Sequence, residues 1–338
     1  CPVYREEAAI AAFHHRLAAV IDSLSTHCTA RIIYVVDPST DGTERVLAEI
    51  AAVDPRVEVL VMSRRFGHQM ALVAGIDHAD GDAVIMLDSD LQHPPELIPT
   101  LVQHWEDGAD IVQTIRQDGA EIGWLKRSTS RWFYSTFMRV GAVELRSGAA
   151  DYRLLSRRVA TIFRDDMREH NQFLRGLVSW MGFRTVYVPF VPQKREQGVS
   201  KYRPSTLINF ALNGICSFSK LPLRFCIGIG FTFALLSIVG GSIQVLLYFF
   251  SSAAVVPGWA TLVAIVTFAT GVQLFFLGVI GEYISLIFDE VKGRPLYLLA
   301  QRFGAGAEDD RTTPAVVGRS RRQSNTDMVY ERPSVSRA

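Results

Sequence analysis

Cysteine is scarce in this chain. Four are present in 338 residues, Cys1, Cys28, Cys216 and Cys226, and their spacing matches no metal-binding pattern. They are read as small apolar residues. Excess charge of one sign is also missing: the formal net charge is +1, so no overall field marks a nucleic-acid binder. No signal peptide is visible. Methionine is absent from the first position, and almost no strand stands ahead of Pro2, so a stretch holding the first β-strand is expected to precede Cys1. The most telling absence is of Asp, Glu, Lys and Arg anywhere between residues 225 and 281.

What fills that interval is apolar. Hydrophobic residues make up 49% of the chain, and they concentrate in two runs, residues 224–250 and 259–288. Each run exceeds the ~20 residues that cross a bilayer. A buried core helix is the plain alternative, but two such runs joined by the uncharged loop 251–258 weigh against it. Lys220 and Arg224 precede the pair, Lys292 and Arg294 follow it, and the loop carries no charge. By the positive-inside rule both flanks lie in the cytoplasm, with the N-terminal portion. That compartment argues against disulfides.

The first 160 residues alternate short apolar runs with helical patterns. Residues 31–36, 57–62, 83–87 and 110–114 read as buried strands, and 6–24, 43–52, 68–77 and 94–105 as the helices between them. Such alternation implies a mostly parallel sheet covered on both faces. Asp41-Gly42-Thr43 supplies turn and capping chemistry for the second helix. Residues 196–202 are polar and Gly-containing and read as a loop. Residues 206–220 are amphipathic and suit an interfacial helix. Beyond residue 303 the chain is rich in Arg, Ser, Thr and Pro and is expected to be disordered.

The chemistry centres on Asp88-Ser89-Asp90-Leu91-Gln92-His93-Pro94-Pro95-Glu96, directly after an apolar strand. Two carboxylates one residue apart at the C-terminal end of a strand stand where open α/β sheets bind ligands. With the Gln92 amide they form a hard-oxygen donor set suited to Mg²⁺ or Mn²⁺ on a diphosphate. A helix-capping carboxylate and a surface amide are the bland alternatives. His93 is read as a loop residue, imidazole being a poor match to Mg²⁺. Cations follow: Arg116 after the fourth strand, then Lys126, Arg127, Ser130 and Arg131. Lys126 and Ser130 share one helix face, as do Arg127 and Arg131. A solvated basic face is the competing reading. Arg153 and Lys201 are further phosphate-contact candidates. Asp151 reads equally as an acceptor-orienting group, a weak base, or the ion-pair partner of Arg153.

Several segments occur in a fixed order: Pro2-Val3-Tyr4-Arg5-Glu6-Glu7, Val36-Asp37-Pro38-Ser39-Thr40-Asp41-Gly42-Thr43, Ser63-Arg64-Arg65-Phe66-Gly67-His68-Gln69, Asp88 to Glu96, Asp151-Tyr152-Arg153-Leu154-Leu155-Ser156-Arg157, and Phe173-Leu174-Arg175-Gly176. Together they resemble the family-2 glycosyltransferases of GT-A fold, over roughly residues 1–300, and in particular the polyprenyl-phosphate group. The resemblance implies a nucleotide pocket made by Pro2, Tyr4, Glu6 and Asp37, with Asp88 near the ribose or metal, and metal coordination by Asp90 and Gln92. Two positions depart from the family pattern: Arg5 stands where Asn is common, and Val36-Asp37-Pro38 where Asp-Asp-Gly is common. Gly176 follows Gln172-Phe173-Leu174-Arg175 where processive polysaccharide synthases carry Trp, which argues against a chain-extending enzyme.

The expectation is therefore an α/β, GT-A (Rossmann-like) catalytic domain over residues 1–204 and an interfacial helix over 205–222. Two transmembrane helices follow within 223–288, near 225–250 and 259–281, and then a juxtamembrane segment and disordered tail over 289–338. Asp90, Asp151 and Arg153 are the catalytic candidates. Pro2, Tyr4, Glu6, Asp37, Asp88 and Asp90 would bind a UDP- or GDP-linked sugar, with Asp88, Asp90 and Gln92 as metal ligands. Arg116, Lys126, Arg127, Ser130, Arg131 and Lys201 would hold the acceptor phosphate. The expected reaction moves one hexose, with inversion, to a polyprenyl phosphate such as undecaprenyl or dolichyl phosphate, in an integral membrane protein with its catalytic domain in the cytoplasm. No nucleic-acid partner is expected, and self-association is left open. The competing readings are a membrane-associated glycosyltransferase with a saccharide or protein acceptor, and a catalytically degenerate membrane scaffold.

Overall fold

Strands form where β-branched residues run without interruption. Pro2–Val3 is β1, Ile32–Val36 β2 and Val57–Met62 β3, and every residue of the three is buried. That is what a strand covered on both faces requires. The structure, a computed structural model, describes residues 1–117, 146, 148–170, 172–192, 221–250 and 258–305. Helix α1 (Ile10–Leu24) buries Ile10, Phe13, Leu17 and Ile21, a single apolar stripe at helical spacing. Helix α1 and helix α2 (Thr43–Val53) are the crossovers that join β1, β2 and β3 in parallel, and α3 (His68–Asp77) leads from β3 to the second sheet.

The chain continues through β4 (Ala83–Met86), a 3₁₀ turn (Pro95–Leu97), α4 (Ile98–Glu106), β5 (Ile111–Arg116), β6 (Ala149–Ser156), α5 (Arg157–Asp165), α6 (Leu174–Trp180) and β7 (Thr185–Phe190). Two long helices, α7 (Leu221–Phe250) and α8 (Trp259–Lys292), precede β8 (Leu299–Gly304). Strand and helix positions thus follow the sequence pattern closely, but the pairing does not. The described strands form two four-stranded sheets, ordered β1-β2-β3-β8 and β4-β6-β5-β7. Three pairings are parallel and three antiparallel. The expectation of a mostly parallel sheet is corrected to mixed sheets, because β6 runs antiparallel between β4 and β5, and β8 returns antiparallel along β3.

Strand β8 lies within the segment read from sequence as juxtamembrane and tail. It is held to the domain by more than its ladder. Arg302 and Arg31 both pair with Glu58, whose side chain is fully buried in β3. The Tyr297 hydroxyl donates to Asp77 at 2.8 Å, and Arg168 bonds the same carboxylate at 2.7 Å. His170 meets Glu290 through its backbone N–H at 2.7 Å and the Arg294 carbonyl through Nε2 at 2.8 Å. The end of α8 is therefore tied into the α/β body.

Along α7 and α8 apolar side chains face outward, Phe231 at 72% and Phe275 at 61% exposure. An apolar surface of that kind marks a membrane or a partner. Within α8, the stretch Phe268–Lys292 is long and apolar enough to cross a membrane by length and composition. The interfacial-helix residues 205–220 and the tail beyond 305 lie outside the described residues. Cys1, Cys28 and Cys226 are free thiols.

Replacing Arg302 with Met leaves the buried Glu58 carboxylate with one cation instead of two. The expected cost is about 1–3 kcal/mol, read as a lowered denaturation midpoint of the full chain in detergent, with Arg302→Lys close to the parent.

Candidate active site

Asp37 follows β2 and is buried. Its carboxylate accepts two backbone hydrogen bonds, from Phe66 N–H at 3.0 Å and Gly67 N–H at 2.9 Å. These fix the loop leading from β3 into α3, where Gly67 takes φ +95°, a conformation that glycine adopts without steric cost. The loop delivers His68 as the first residue of α3. Asp37 was expected as a nucleotide contact; in the structure its oxygens serve the loop that borders that position. Val36, where the family commonly has Asp, is a buried strand residue of the core.

Asp88 follows β4. Its Oδ1 meets His68 Nε2 at 2.7 Å. Its own backbone N–H donates to His93 Nδ1 at 3.3 Å, so that nitrogen carries a lone pair. The 3.5 Å approach of His93 Nδ1 to Asp88 Oδ2 is therefore no ion pair. His93 is a core residue, stacked on the Tyr152 ring with centroids 5.3 Å apart and edge-on to Phe190 at 5.6 Å. Burial pushes the Asp88 carboxyl upward, but the hydrogen bond and charge of His68 outweigh it and hold the group below the usual carboxylate range. Asp88 is thus an anion at any working pH. At His68 burial favours the neutral ring, yet the Asp88 bond and charge prevail and raise its pKa above 6.5.

Between the two carboxylates sits Ser89, buried, whose hydroxyl donates to the Pro2 carbonyl at 3.0 Å. This bond ties the loop after β4 to β1, joining the two sheets beside the site. Asp90 accepts from Gln92 N–H at 3.1 Å, a tight turn in which Leu91 takes φ +62°. A non-glycine residue in that region costs of order 1–3 kcal/mol. Such strain is common where side chains are aimed at a ligand.

Tyr4 and Glu6 follow β1. The Arg65 guanidinium lies 4.1 Å from the Tyr4 ring centroid and Arg5 lies 5.4 Å away. A guanidinium over an aromatic face is favourable, and two cations gather at Tyr4. The Glu6 backbone N–H donates to Thr43 Oγ1 at 3.0 Å, and the Glu7 carboxylate accepts from Gly42 N–H at 2.8 Å. The start of α2 is thus capped by Glu7, with Asp41 bonding Thr43 Oγ1 at 2.7 Å.

On the other side stands Asp151, in β6. Arg153 Nη2 donates to Oδ1 at 2.9 Å, and Arg175 grips both oxygens, Nε to Oδ1 at 3.0 Å and Nη2 to Oδ2 at 2.8 Å. Burial raises the Asp151 pKa, but the two guanidinium groups, Arg175 foremost, overcome it and hold the carboxyl far below the carboxylate range. It is no general base. Arg153 is 0% exposed, and burial lowers its pKa to about 10, so it stays charged at neutral pH. Its guanidinium also bonds the Ala150 carbonyl at 3.1 Å. The reading of Arg153 as a phosphate contact is corrected: α6 covers it, and its charge is spent inside. Arg175, which sequence reasoning passed over, occupies the outer position with a side chain 38% exposed. It lines a cleft of about 20 Å³ with Gln113, Arg146, Ser179 and Tyr187.

Arg116 is exposed at the end of β5, its N–H bonded to the Gly148 carbonyl at 2.8 Å. Lys126, Arg127, Ser130, Arg131 and Lys201 lie outside the described residues. Sequence reasoning missed His68, Ser89 and Arg175. All three stand in the ordered segments that carry the family resemblance, and spacing alone assigns them no partner.

As donors for a divalent cation, Asp88, Asp90 and the Gln92 amide are hard oxygens and fit Mg²⁺ or Mn²⁺ in kind. Among the described residues no group of three His, Cys, Asp or Glu side chains could hold a metal ion. Protein ligands alone do not make a closed cage, and a bound diphosphate would have to supply the rest, as Mg²⁺ commonly requires.

The α/β domain thus sets two carboxylates, Asp88 and Asp90, directly after β4, and clamps a third, Asp151, between two guanidinium groups. Residues 1–163 match the family model "Glycosyl transferase family 2". The chain is 39% identical over 303 residues to an uncharacterised glycosyltransferase of Synechocystis, covering 90% of this chain and 94% of that protein. It is also 39% identical over 300 residues to the SfII prophage-derived bactoprenol glucosyl transferase of Shigella flexneri, covering 88% and 95%. Among solved structures it is similar to a mannosyltransferase from Pyrobaculum calidifontis, at 16% identity and TM-score 0.41 over 86% of this chain and 84% of that one. The chain belongs to glycosyl transferase family 2.

Asp151→Asn leaves Arg153 buried without a counter-charge, which costs about 3–5 kcal/mol. The expected result is a large fall in denaturation midpoint. The depressed Asp151 pKa fixes the sign of the pH effect: the pair's contribution is complete above the unfolded carboxylate pKa and is lost as pH falls through the folded one. Stability should therefore decline on acidification below about pH 4. A rate–pH profile of the parent should show no limb from Asp151 near neutrality.

Proposed function

We propose that this glycosyltransferase moves a single hexose from a nucleotide diphosphate sugar to a polyprenyl phosphate. The observation that carries this reading is the state of Asp151. The carboxylate facing Asp88 across the site is clamped by two guanidinium groups and cannot take a proton. An acceptor hydroxyl would need a base. A phosphate monoester, with a second pKa near ~6, is already an anion at neutral pH and needs none. The bactoprenol glucosyl transferases, similar over nearly their whole length, support the same acceptor class.

In this reading the acceptor phosphate oxygen bonds to the anomeric carbon as the bond from that carbon to the diphosphate breaks, with inversion. Asp88, Asp90 and Gln92 would hold a Mg²⁺ or Mn²⁺, which supplies positive charge to the departing diphosphate. Tyr4, Arg65 and Arg5 border the base position. Arg116 and Arg175 supply positive charge on the acceptor side, with Lys126, Arg127, Ser130, Arg131 and Lys201 as further acceptor candidates from sequence. Residues 225–250 and 259–281 would span the membrane, with the catalytic domain on the cytoplasmic side, where the Lys and Arg flanks point.

The test is transfer of radiolabelled sugar from a panel of UDP- and GDP-sugars to polyprenyl phosphate in detergent. Label is expected in the organic extract, dependent on Mg²⁺ or Mn²⁺, and reduced at least ~100-fold by Asp90→Ala. Label appearing instead in protein or polysaccharide would overturn the proposal.

A further inference from the structure

The carboxylate of Asp88 is held by a chain of hydrogen bonds whose polarity is settled at its far end. The Leu174 N–H, at the start of α6, can only donate, and it donates to Gln69 Oε1 at 3.4 Å. That fixes the orientation of the Gln69 amide and turns its NH₂ group toward His68. Gln69 Nε2 approaches His68 Nδ1 at 3.4 Å, so in the neutral ring Nδ1 accepts and the proton belongs on Nε2; the imidazolium carries a proton on Nε2 as well. Nε2 is the atom 2.7 Å from Asp88 Oδ1. A second set of bonds places the ring itself: Asp37 fixes the Phe66 and Gly67 amides, and His68 follows directly as the first residue of α3.

From this geometry we infer that His68 is a positioning residue for Asp88. Its Nε2–H occupies Oδ1 and orients the carboxylate so that Oδ2 is presented to the donor's diphosphate and its cation. His93 leaves Oδ2 available, since its Nδ1 is already the acceptor for the Asp88 amide. Gln69 fixes the tautomer. Its bond to Leu174 also connects this carboxylate to the helix that carries Arg175, and hence to Asp151. The inference rests on the donor-site reading of Asp88 given above. Its chemistry is that of an outer partner orienting a ligand group, where loss of the partner typically weakens metal binding 10–100-fold.

The experiment measures Mn²⁺ binding by electron paramagnetic resonance and Mn²⁺–UDP and Mn²⁺–GDP binding by calorimetry on the full chain in detergent, beside steady-state transfer. His68→Ala should weaken whichever Mn²⁺–nucleotide complex the parent binds by about 10–100-fold and raise the donor KM, with the acceptor KM unchanged. His68→Gln, which keeps a side-chain N–H within reach, should recover most of the loss. Parent-like binding by His68→Ala, with Asp88→Asn defective, would overturn the inference and leave the donor-site reading standing. Parent-like binding by Asp88→Asn would overturn both. If His68→Ala does not fold, ¹⁵N resonances of the imidazole in the parent decide: a protonated Nε2 is expected, and an Nε2 without a proton would overturn the inference.

Discussion

A buried carboxylate between two guanidinium groups is the constraint around which β6 and α6 are organised. Arg153 has no exposure, and a buried cation without a partner is among the most destabilising features a core can hold. Asp151 is that partner, two residues away on the same strand. The second cation, Arg175, comes from α6, so the ion cluster also joins strand to helix. One carboxylate against two guanidinium groups leaves a formal surplus of one positive charge, and the exposed member is Arg175. The same arrangement removes Asp151 from proton chemistry. A group whose charge is needed to hold the core cannot also be a base, and this directs the reading toward an acceptor that arrives ionised.

The loop after β4 has the opposite character. Asp88 and Asp90 are anionic, and the surrounding polar bonds are mostly to backbone: Asp37 to two amides, Ser89 to the Pro2 carbonyl, Gln92 N–H to Asp90. Backbone contacts of this kind hold loops in place and leave side-chain charge for a ligand. The Ser89 bond is informative because it spans the two sheets where their strands end. A hydroxyl between two carboxylates would be unremarkable on a surface; buried, it requires an acceptor, and the carbonyl of β1 provides it.

Much of this was legible in the sequence, and the exceptions share a cause. Runs such as Ile32–Val36 and Val57–Met62 announce buried strands through composition alone, and the Asp88–Asp90 pair stands at a strand end as its context required. Pairing was not legible. Strand β8 joins β3 across 244 residues through Arg302 and Glu58, and an apolar interval separates the two in sequence. Local periodicity carries no record of a partner so distant. Arg153 was expected as a phosphate contact and Arg175 had no expected role, because spacing does not reveal which arginine a later helix will cover. His93, expected as a loop residue, is buried and stacks on Tyr152. The basic residues 126–131 and Lys201 lie outside the described residues.

Helix α3 connects these observations. At its first residue, His68 meets Asp88; at its last, Asp77 accepts from Tyr297 and Arg168. Ten residues at ~1.5 Å each make a strut of roughly 15 Å. Tyr297 lies five residues beyond the end of α8, and Glu290 on the last turn of α8 binds His170. The long apolar helix therefore does not end in a free tether: the chain leaving it is bonded to the helix whose first residue meets Asp88, then paired along β3. Rotation of α8 against the sheet would have to break the Glu290, Tyr297 and Arg302 contacts together. Since the Tyr297 and Arg302 contacts are part-buried, the arrangement favours one fixed orientation of the site relative to that helix over a swinging one.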